Sequence, residues 1–312
     1  MIHYECKNIP KAAASDEDGG QIRKGTETMM DYEVFKNVIA ARIKEFLPPL
    51  YADFDVNIHS VPKINGVKEA MVLELNTTEL AMTAPNIYMD DLYLEFKACG
   101  EIEAVLEEAA ALIVNFTGTQ RMGEGAFDVK DYKNDIIKAL INTEKNSALL
   151  ADVPHREFLD LSVVYRFAVD DGDGGFATAM LTTDLLEELG ITGDELEQLA
   201  EENTVRKQKT HIVDVAPGAR IMTMESVIYG AVNLMRTDEI RKIADEMEDD
   251  LFLLPGSIHE IMVLAAGDND VAKLAAIVKK GNSTSTGADE FLSDSIYYYD
   301  RKKDAVSLAA AE

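Results

Sequence analysis

Two runs of residues suited to β-strands, Val56–Val61 and Ala70–Leu75, flank the dipeptide Asn65-Gly66. Asn-Gly in this setting is the strongest short-range signal for a β-hairpin, because both residues tolerate the positive φ angles of a tight turn. An amphipathic helix precedes the hairpin: apolar residues recur every three or four positions from Phe35 to Leu47, and Pro48-Pro49 ends the pattern. The sequence therefore predicts a helix followed by an antiparallel hairpin.

Similar patterns recur along the chain. A helix over Glu101–Val114 follows the first hairpin, and Thr192 with Glu195 forms a capping box before a later helix. The other predicted helices are Asp131–Leu150, a short helix capped by Thr183 or Asp184 and ending at Gly190, Glu225–Met247 (broken or bent near Arg236–Thr237) and Asp270–Lys279. The other predicted strands are Leu159–Val169, Phe176–Leu181, Leu251–Leu254, Glu260–Ala265, Ser295–Tyr299 and Ala305–Leu308.

The predicted fold class is α+β, with repeated helix–β-hairpin–helix units whose antiparallel sheets are covered by helices. We predict units over residues 30–118, 126–204 and 220–312, after a disordered polar tail at residues 1–29. Met29 or Met30 is an alternative natural start. The apolar positions of Asp91–Phe96 and Asp184–Leu189 align with one gap, which favours an internal repeat. Two unrelated segments with this element order would share that periodicity, so both interpretations stay open.

The chain is strongly acidic, with 57 Asp and Glu against 30 Lys and Arg and a formal net charge of −27. Such a charge disfavours nucleic acid and anionic membranes as partners. It favours a basic protein partner, a cationic ligand or mimicry of nucleic acid, although a net charge also simply keeps proteins soluble. There are only two cysteines, no signal-peptide pattern and no apolar run of membrane-spanning length. We therefore expect a cytoplasmic protein without a disulfide framework.

Two histidines, His155 and His259, directly precede predicted strands. Together with Glu260 and Asp294 they are candidates for a His/acid site of the hydrolase type between units. The alternative is structural, because an imidazole at such a junction also bonds loop carbonyls. No motif for a serine hydrolase, a phosphate loop or a zinc site is present, so no catalytic residue is assigned. The acids of the turn Asp170–Gly175 have the wrong spacing for an EF-hand, so no metal or cofactor is predicted.

Three consecutive tyrosines, Tyr297, Tyr298 and Tyr299, lie in a predicted strand. Side chains alternate between the two faces of a strand, so Tyr297 and Tyr299 share one face and Tyr298 takes the other. Aromatic pairs of this kind stabilise sheets. The alternative is a stacking surface for a ligand or a partner.

Several short motifs lie between Met30 and Leu308: Asp31-Tyr32, Val153-Pro154-His155, Phe158–Leu161, Asn203-Thr204, Ser257–Glu260, Leu292–Ser295 and Tyr297–Asp300. As a set they resemble the bacterial family catalogued as domain of unknown function 5688, which is met mainly in gut Firmicutes. The resemblance implies no activity, since none is established for the family. Gly256 departs from the pattern, where a small polar residue is expected.

These observations lead to three functional hypotheses. The leading one is a non-enzymatic cytoplasmic binding or protein-interaction protein, because no catalytic constellation is visible. The second is a hydrolase-type enzyme that uses the His/acid candidates. The third is an acidic mimic that binds a basic protein, which requires acids aligned on one exposed face.

Overall fold

The computed structural model describes residues 30–74, 86–122, 129–170 and 176–310. The described chain is α+β and contains three antiparallel sheets, as the sequence predicts. It divides into two compact units: unit 1 comprises described residues 30–61, 68–74 and 86–122, and unit 2 comprises residues 62–67, 129–170 and 176–310. The predicted tail at residues 1–29 and residues 171–175 of the aspartate-rich turn lie outside the described residues.

Unit 1 combines helices with a sheet of strand order β1-β2-β3. Its elements are α1 (Tyr32–Arg42), 3₁₀ helices at Ile43–Phe46 and Pro49–Tyr51, β1 (Asp55–Lys63), β2 (Gly66–Glu74), β3 (Ile87–Tyr88), α2 (Met89–Cys99) and α3 (Ile102–Met122). The hairpin predicted around Asn65-Gly66 is confirmed, and Asn65 has a φ of 64° in the turn. The tip of this hairpin, residues 62–67, belongs to unit 2.

Local sequence signals explain where the helices of unit 1 begin and end. The Asp31 carboxylate accepts a hydrogen bond from the Val34 amide at 3.0 Å and so caps α1. Gly100 ends α2 in the left-handed conformation, with a φ of 75°. The apolar stripe of α1 packs with α2, α3 and β2 in one buried core, which includes Phe35, Ile39, Met71, Leu92, Phe96, Leu106 and Ile113.

The first part of unit 2 is a four-stranded sheet in which β6 pairs with β4 on one side and with β5 and β7 on the other. Its elements are a 3₁₀ helix at Val129–Asp135, β4 (Ile136–Asn142), α4 (Ser147–Leu150), β5 (His155–Phe158), β6 (Leu161–Asp170), β7 (Phe176–Met180), α5 (Thr183–Leu189) and α6 (Gly193–Lys207). Thr192 and Glu195 form the predicted capping box at the start of α6.

The helix predicted over Asp131–Leu150 is wrong, because Ile136–Asn142 forms strand β4. Every residue of β4 except Asn142 is buried. A strand buried on both faces carries a continuous apolar run rather than an alternating one, so periodicity alone does not separate it from a buried helix.

Helix α6 covers β4, which is an edge strand of its sheet. The Lys138 amide donates a hydrogen bond to Thr204 Oγ1 at 2.9 Å. The buried Lys138 ammonium lies 2.6 Å from one carboxylate oxygen of Glu197 and 2.6 Å from one of Glu201. Burial alone would raise the pKa of Glu197, but hydrogen bonds from Lys138 and Tyr165 outweigh burial and lower the pKa. The β4 edge is therefore closed by a hydrogen bond and an ion-pair network.

The second part of unit 2 is a six-stranded sheet of order β13-β12-β10-β11-β9-β8. Its elements are β8 (Thr210–Ala216), β9 (Ala219–Met224), a 3₁₀ helix at Gly230–Met235, α7 (Thr237–Met247), β10 (Leu251–Ser257), β11 (Glu260–Ala265), α8 (Val271–Thr284), β12 (Tyr297–Asp300) and β13 (Ala305–Leu308). The predicted C-terminal hairpin is confirmed as β12 and β13. The predicted helix over Glu225–Met247 is wrong in its first half, where a loop and the 3₁₀ helix precede α7.

Both faces of the six-stranded sheet carry apolar clusters. One face joins the four-stranded sheet in a shared core that includes Leu140, Val164, Leu253, Val263 and Tyr297. The other face packs against α8 through Phe252, Leu254, Leu274 and Val278. The proposed repetition of helix–hairpin–helix units, with its three-unit boundaries, stays a prediction; the middle segment begins with a 3₁₀ helix and a strand.

Candidate functional site

Strand β8 lies at one end of the six-stranded sheet, where only β9 pairs with it among the described strands. The β8–β9 register is regular from Thr210↔Met224 to Asp214↔Arg220, and it shifts between Asp214 and Ala216 at the turn. Gly218 closes that turn with a φ of 73°, a conformation that glycine adopts without strain.

The side chains of β8 are exposed. Residues His211 to Ala216 are all in the exposed class, and the apolar residues Ile212, Val213 and Val215 are 36%, 40% and 47% exposed. We call residues Thr210–Ala216 the β8 edge. An uncovered edge strand presents unpaired backbone groups and is a template for pairing with another chain. The β8 edge therefore differs from β4, whose edge is covered by α6.

An open cleft of about 640 Å³ lies beside the β8–β9 turn. Its charged lining residues are Asp214, Arg220 and Glu246. Arg220 bridges the two acids: its Nε lies 2.8 Å from Asp214 Oδ1 and its NH1 lies 2.5 Å from Glu246 Oε2. The hydrogen bond to Glu246 raises the pKa of Arg220 above its usual value. Two carboxylates around one guanidinium give the cleft a net negative charge.

His155 and His259 contact different loops. His155 is exposed and its Nδ1 lies 3.0 Å from the Val153 carbonyl oxygen, so that nitrogen donates. His259 Nδ1 instead accepts a hydrogen bond from the Tyr229 amide at 3.1 Å, and its Nε2 lies 3.9 Å from Glu290 Oε1. The role of either histidine in catalysis stays a hypothesis.

The loop that holds His259 is tightly constrained. Val227 and Tyr229 have φ angles of 59° and 51°, which are unusual for side chains of their size. An added Cβ at Gly230 would lie 2.1 Å from the His259 carbonyl oxygen, so only glycine fits there. The Ser257 hydroxyl accepts a hydrogen bond from the His259 backbone amide at 3.0 Å. That hydroxyl is thus engaged with the backbone of this loop.

The two acidic candidates lie at separate places in unit 2. Glu260 is the exposed first residue of β11, and its side chain lies over Gly256. An added Cβ at Gly256 would be 3.1 Å from Glu260 Oε1, so a larger residue there would require the exposed Glu260 side chain to shift. Asp294 is exposed and accepts a hydrogen bond from Asn282 Nδ2 at 2.8 Å.

The three tyrosines of β12 alternate as predicted. Tyr297 and Tyr299 are buried and Tyr298 is half-buried on the other face. The buried rings of Tyr297 and Tyr299 present no face for stacking by a ligand in this structure. Each hydroxyl donates to an aspartate: Tyr297 to Asp160 at 2.8 Å, Tyr298 to Asp250 at 2.6 Å and Tyr299 to Asp304 at 2.6 Å.

Asp160 is a polar centre that the sequence analysis did not single out. Its Oδ2 accepts hydrogen bonds from Ser293 Oγ at 2.8 Å and Ser295 Oγ at 2.9 Å, and its Oδ1 accepts the bond from Tyr297. Burial raises the pKa of Tyr297, and the Asp160 carboxylate raises it further. The donors lie more than 130 positions away in the chain. In the sequence, the only signal for these residues is that they belong to the motifs that resemble the family.

An asparagine network holds the neighbouring segment of unit 2. The Asn65 amide donates to Asn146 Oδ1 at 2.6 Å, and Asn146 Nδ2 donates to Asn65 Oδ1 at 2.9 Å. Asn65 Nδ2 also donates to the Phe291 carbonyl at 2.7 Å, and Asn142 Nδ2 donates to the Leu292 carbonyl at 3.0 Å. With Asp160, these bonds position the segment that leads into β12. We interpret both networks as structural.

The described residues contain no group of three or more His, Cys, Asp or Glu side chains placed to hold a metal ion. In the same described ranges, no helix is both long enough and apolar enough to cross a membrane.

Comparison with known proteins gives a family match. The model of the family described as "Family of unknown function (DUF5688)" matches residues 32–217 and 219–301, which is most of the chain. No curated protein and no solved structure matches.

Proposed function

We propose that this chain, which belongs to the family of unknown function DUF5688, is a non-enzymatic protein that binds a protein partner at the β8 edge. The observation that carries the proposal is the exposure of β8 from His211 to Ala216 at the end of the sheet. A partner strand that pairs with β8 would satisfy its outward backbone groups and cover Ile212, Val213 and Val215.

The contrast with β4 supports this proposal. Proteins protect sheet edges with covering helices, charged side chains, prolines or bulges. Thr204 and the acids of α6 close the β4 edge, whereas the part of β8 from Thr210 to Asp214 keeps a regular register and exposes two β-branched apolar residues. Such an edge promotes aggregation unless something pairs with it. We further propose a cytoplasmic location, since the chain has only two cysteines.

Site-specific photo-cross-linking in the native host tests the proposal. A photo-reactive benzoylphenylalanine replaces Val213 in the full chain, and a second variant carries it at Leu308. Leu308 is the matched control, because it is 45% exposed on β13, the strand at the opposite end of the same sheet. We expect a discrete cross-linked product with a partner from position 213 and none from position 308. Equal labelling from both positions, or none from either, contradicts the proposal.

A further inference from the structure

We propose that the partner segment is an extended basic peptide, which adds a strand to the β8 edge and places a lysine or arginine side chain in the cleft at the β8–β9 turn. This inference rests on the proposed function and names the chemistry of the partner. The cleft and the exposed edge are continuous, since Asp214, Val215 and Ala216 belong to both.

The charge balance of the cleft favours a basic partner. Asp214 and Glu246 share the single guanidinium of Arg220, and their side chains are 79% and 62% exposed. Both acids therefore keep much of their surface available to a second cation. In an antiparallel pair, residues directly opposite each other on one face interact, and opposite charges there are favourable. A basic residue opposite Asp214 would make such a pair.

The C-terminal end of helix α7 also favours a cation in the cleft. The carbonyl groups at a helix C-terminus carry a partial negative charge, which favours cations nearby. The last turn of α7 has no basic residue; of its two acids, Asp245 pairs with Arg301 at 3.0 Å and Glu246 lines the cleft. Glu246 and Met247 line the cleft, so the helix end adds negative potential to this side of the cleft.

The net charge of the chain favours a basic peptide over a second copy of this chain as the partner. Pairing of two β8 edges would bring together two molecules of formal charge −27. Long-range repulsion between like charges slows and weakens such an association, whereas it draws in a positive partner. The exposed valines set the remaining requirement: apolar or β-branched residues of the peptide should lie opposite Val213 and Val215.

The test uses a random dodecapeptide library displayed on phage and selected against the full-length protein. We expect the selected peptides to alternate Lys or Arg with Val, Ile, Thr or aromatic residues. Their binding should weaken by about tenfold between low and high salt, because exposed charge pairs are screened. Deuterium exchange should show protection at Thr210–Ala216, and peptides methylated on alternate backbone nitrogens should not bind.

Three variants isolate the charge contribution. Asp214→Asn with Glu246→Gln should weaken peptide binding by about fivefold to tenfold, since two favourable pairs are lost and Arg220 is left uncompensated. Arg220→Gln should strengthen binding, because both carboxylates then face the peptide. Glu202→Gln is the matched control, since this exposed α6 acid is not among the residues that line the cleft, and should change nothing.

The outcomes distinguish this inference from the function on which it rests. If the selected peptides are neutral or acidic, protect Thr210–Ala216 from exchange and bind the charge variants as tightly as the wild type, the inference of a basic partner is wrong. The β8 edge then remains the binding site. If the full chain forms a dimer and dimer formation protects Thr210–Ala216 from exchange, the partner is a second copy of the chain and the inference of a basic peptide is wrong. Selected peptides that leave β8 exchange unchanged overturn both proposals.

Discussion

At the scale of single residues, Asp160 connects parts of the chain that are far apart in sequence. Its carboxylate receives hydroxyl donors from Ser293, Ser295 and Tyr297, and Ser293 and Tyr297 are buried. Hydrogen bonds to a charged acceptor are stronger than neutral ones, and a buried donor that loses its partner keeps the full cost of desolvation. The stability of this cluster therefore depends on the Asp160 carboxylate.

Asp160→Ala should lower the free energy of unfolding by about 3 kcal/mol, because buried hydroxyls lose their acceptor. Asp294→Ala is the control, since Asp294 is exposed and bonds only the nearby Asn282 in the described contacts. Its effect should stay within about 0.5 kcal/mol, as is usual for surface positions. Urea unfolding of both variants measures the difference, and equal losses would show that Asp160 is not the centre of the cluster.

A second residue-scale prediction concerns Glu95 in unit 1. Burial and the neighbouring carboxyl group of Glu108 raise the pKa of Glu95 to about 7. The folded chain therefore binds more protons than the unfolded chain between the ordinary glutamate pKa and about pH 7, and stability falls as pH rises through that window. The stabilisation that follows from the raised pKa of Glu95 is complete below the unfolded pKa and is lost as pH rises through the folded pKa of about 7.

Glu95→Gln should raise the free energy of unfolding at pH 8 by about 1 kcal/mol, a figure reduced for solvent screening because the site is only partly buried. It should also flatten the pH dependence between pH 5 and pH 8. Glu107→Gln, an exposed neighbour of Glu108 on α3, serves as the control and should leave the profile unchanged. A Glu95→Gln profile parallel to that of the wild type would refute the assignment.

At the scale of elements, the edge strands β4 and β8 of unit 2 differ in what covers them. The β4 edge is closed by the Thr204 hydroxyl, which accepts from the Lys138 amide and donates to the Ala200 carbonyl at 2.6 Å. β8 has no such cover among the described elements, and its side chains face solvent. The comparison indicates that exposure of β8 is a property of that strand and not of every edge in the fold.

Thr204→Val tests the closure of β4, because valine keeps the shape and removes the hydroxyl. It should cost about 1–2 kcal/mol of unfolding free energy, as expected for a buried amide left without an acceptor. Amide exchange in Ile136–Asn142 should become faster. Thr204→Ser keeps the hydroxyl and should preserve slow exchange; if Thr204→Val preserves it as well, the hydrogen bond does not protect the edge.

The sequence predicts those elements whose signals are local. Asn65-Gly66 marks its turn, Thr192 and Glu195 mark the start of α6, and the alternation of Tyr297–Tyr299 follows from strand geometry. β4 was mistaken for a helix because its residues are buried on both faces. β8 was missed because both of its faces are exposed, so the polar–apolar alternation of a half-buried strand is absent. Its β-branched residues and the following Pro217-Gly218 turn were the available signals.

Candidate sites were harder to predict than elements, since tertiary contacts determine them. Asp160 meets partners from the C-terminal segment, and no spacing rule connects such distant positions. The cleft likewise combines the β8–β9 turn with the end of α7 and one residue of β11. Sequence motifs for chemistry are short and local, which is why neither Asp160 nor any residue that lines the cleft was selected as a partner surface.

At the scale of the whole molecule, net charge and the β8 edge have different roles in the proposed interaction. The formal charge of −27 attracts any positive partner at long range but selects no location. Within the described part of the chain, location comes from β8, whose exposed side chains adjoin the cleft. Specificity in this account therefore resides in unit 2, and the dispersed acids contribute to the rate of encounter.

The most direct measurement is deuterium exchange of the full-length protein, free and bound to the partner identified by cross-linking at position 213. Strand addition at β8 predicts slower exchange in Thr210–Ala216 on binding and unchanged exchange in Ala305–Leu308 at the opposite edge of the sheet. Protection confined to other segments, with Thr210–Ala216 exchanging as in the free protein, would contradict strand addition at β8.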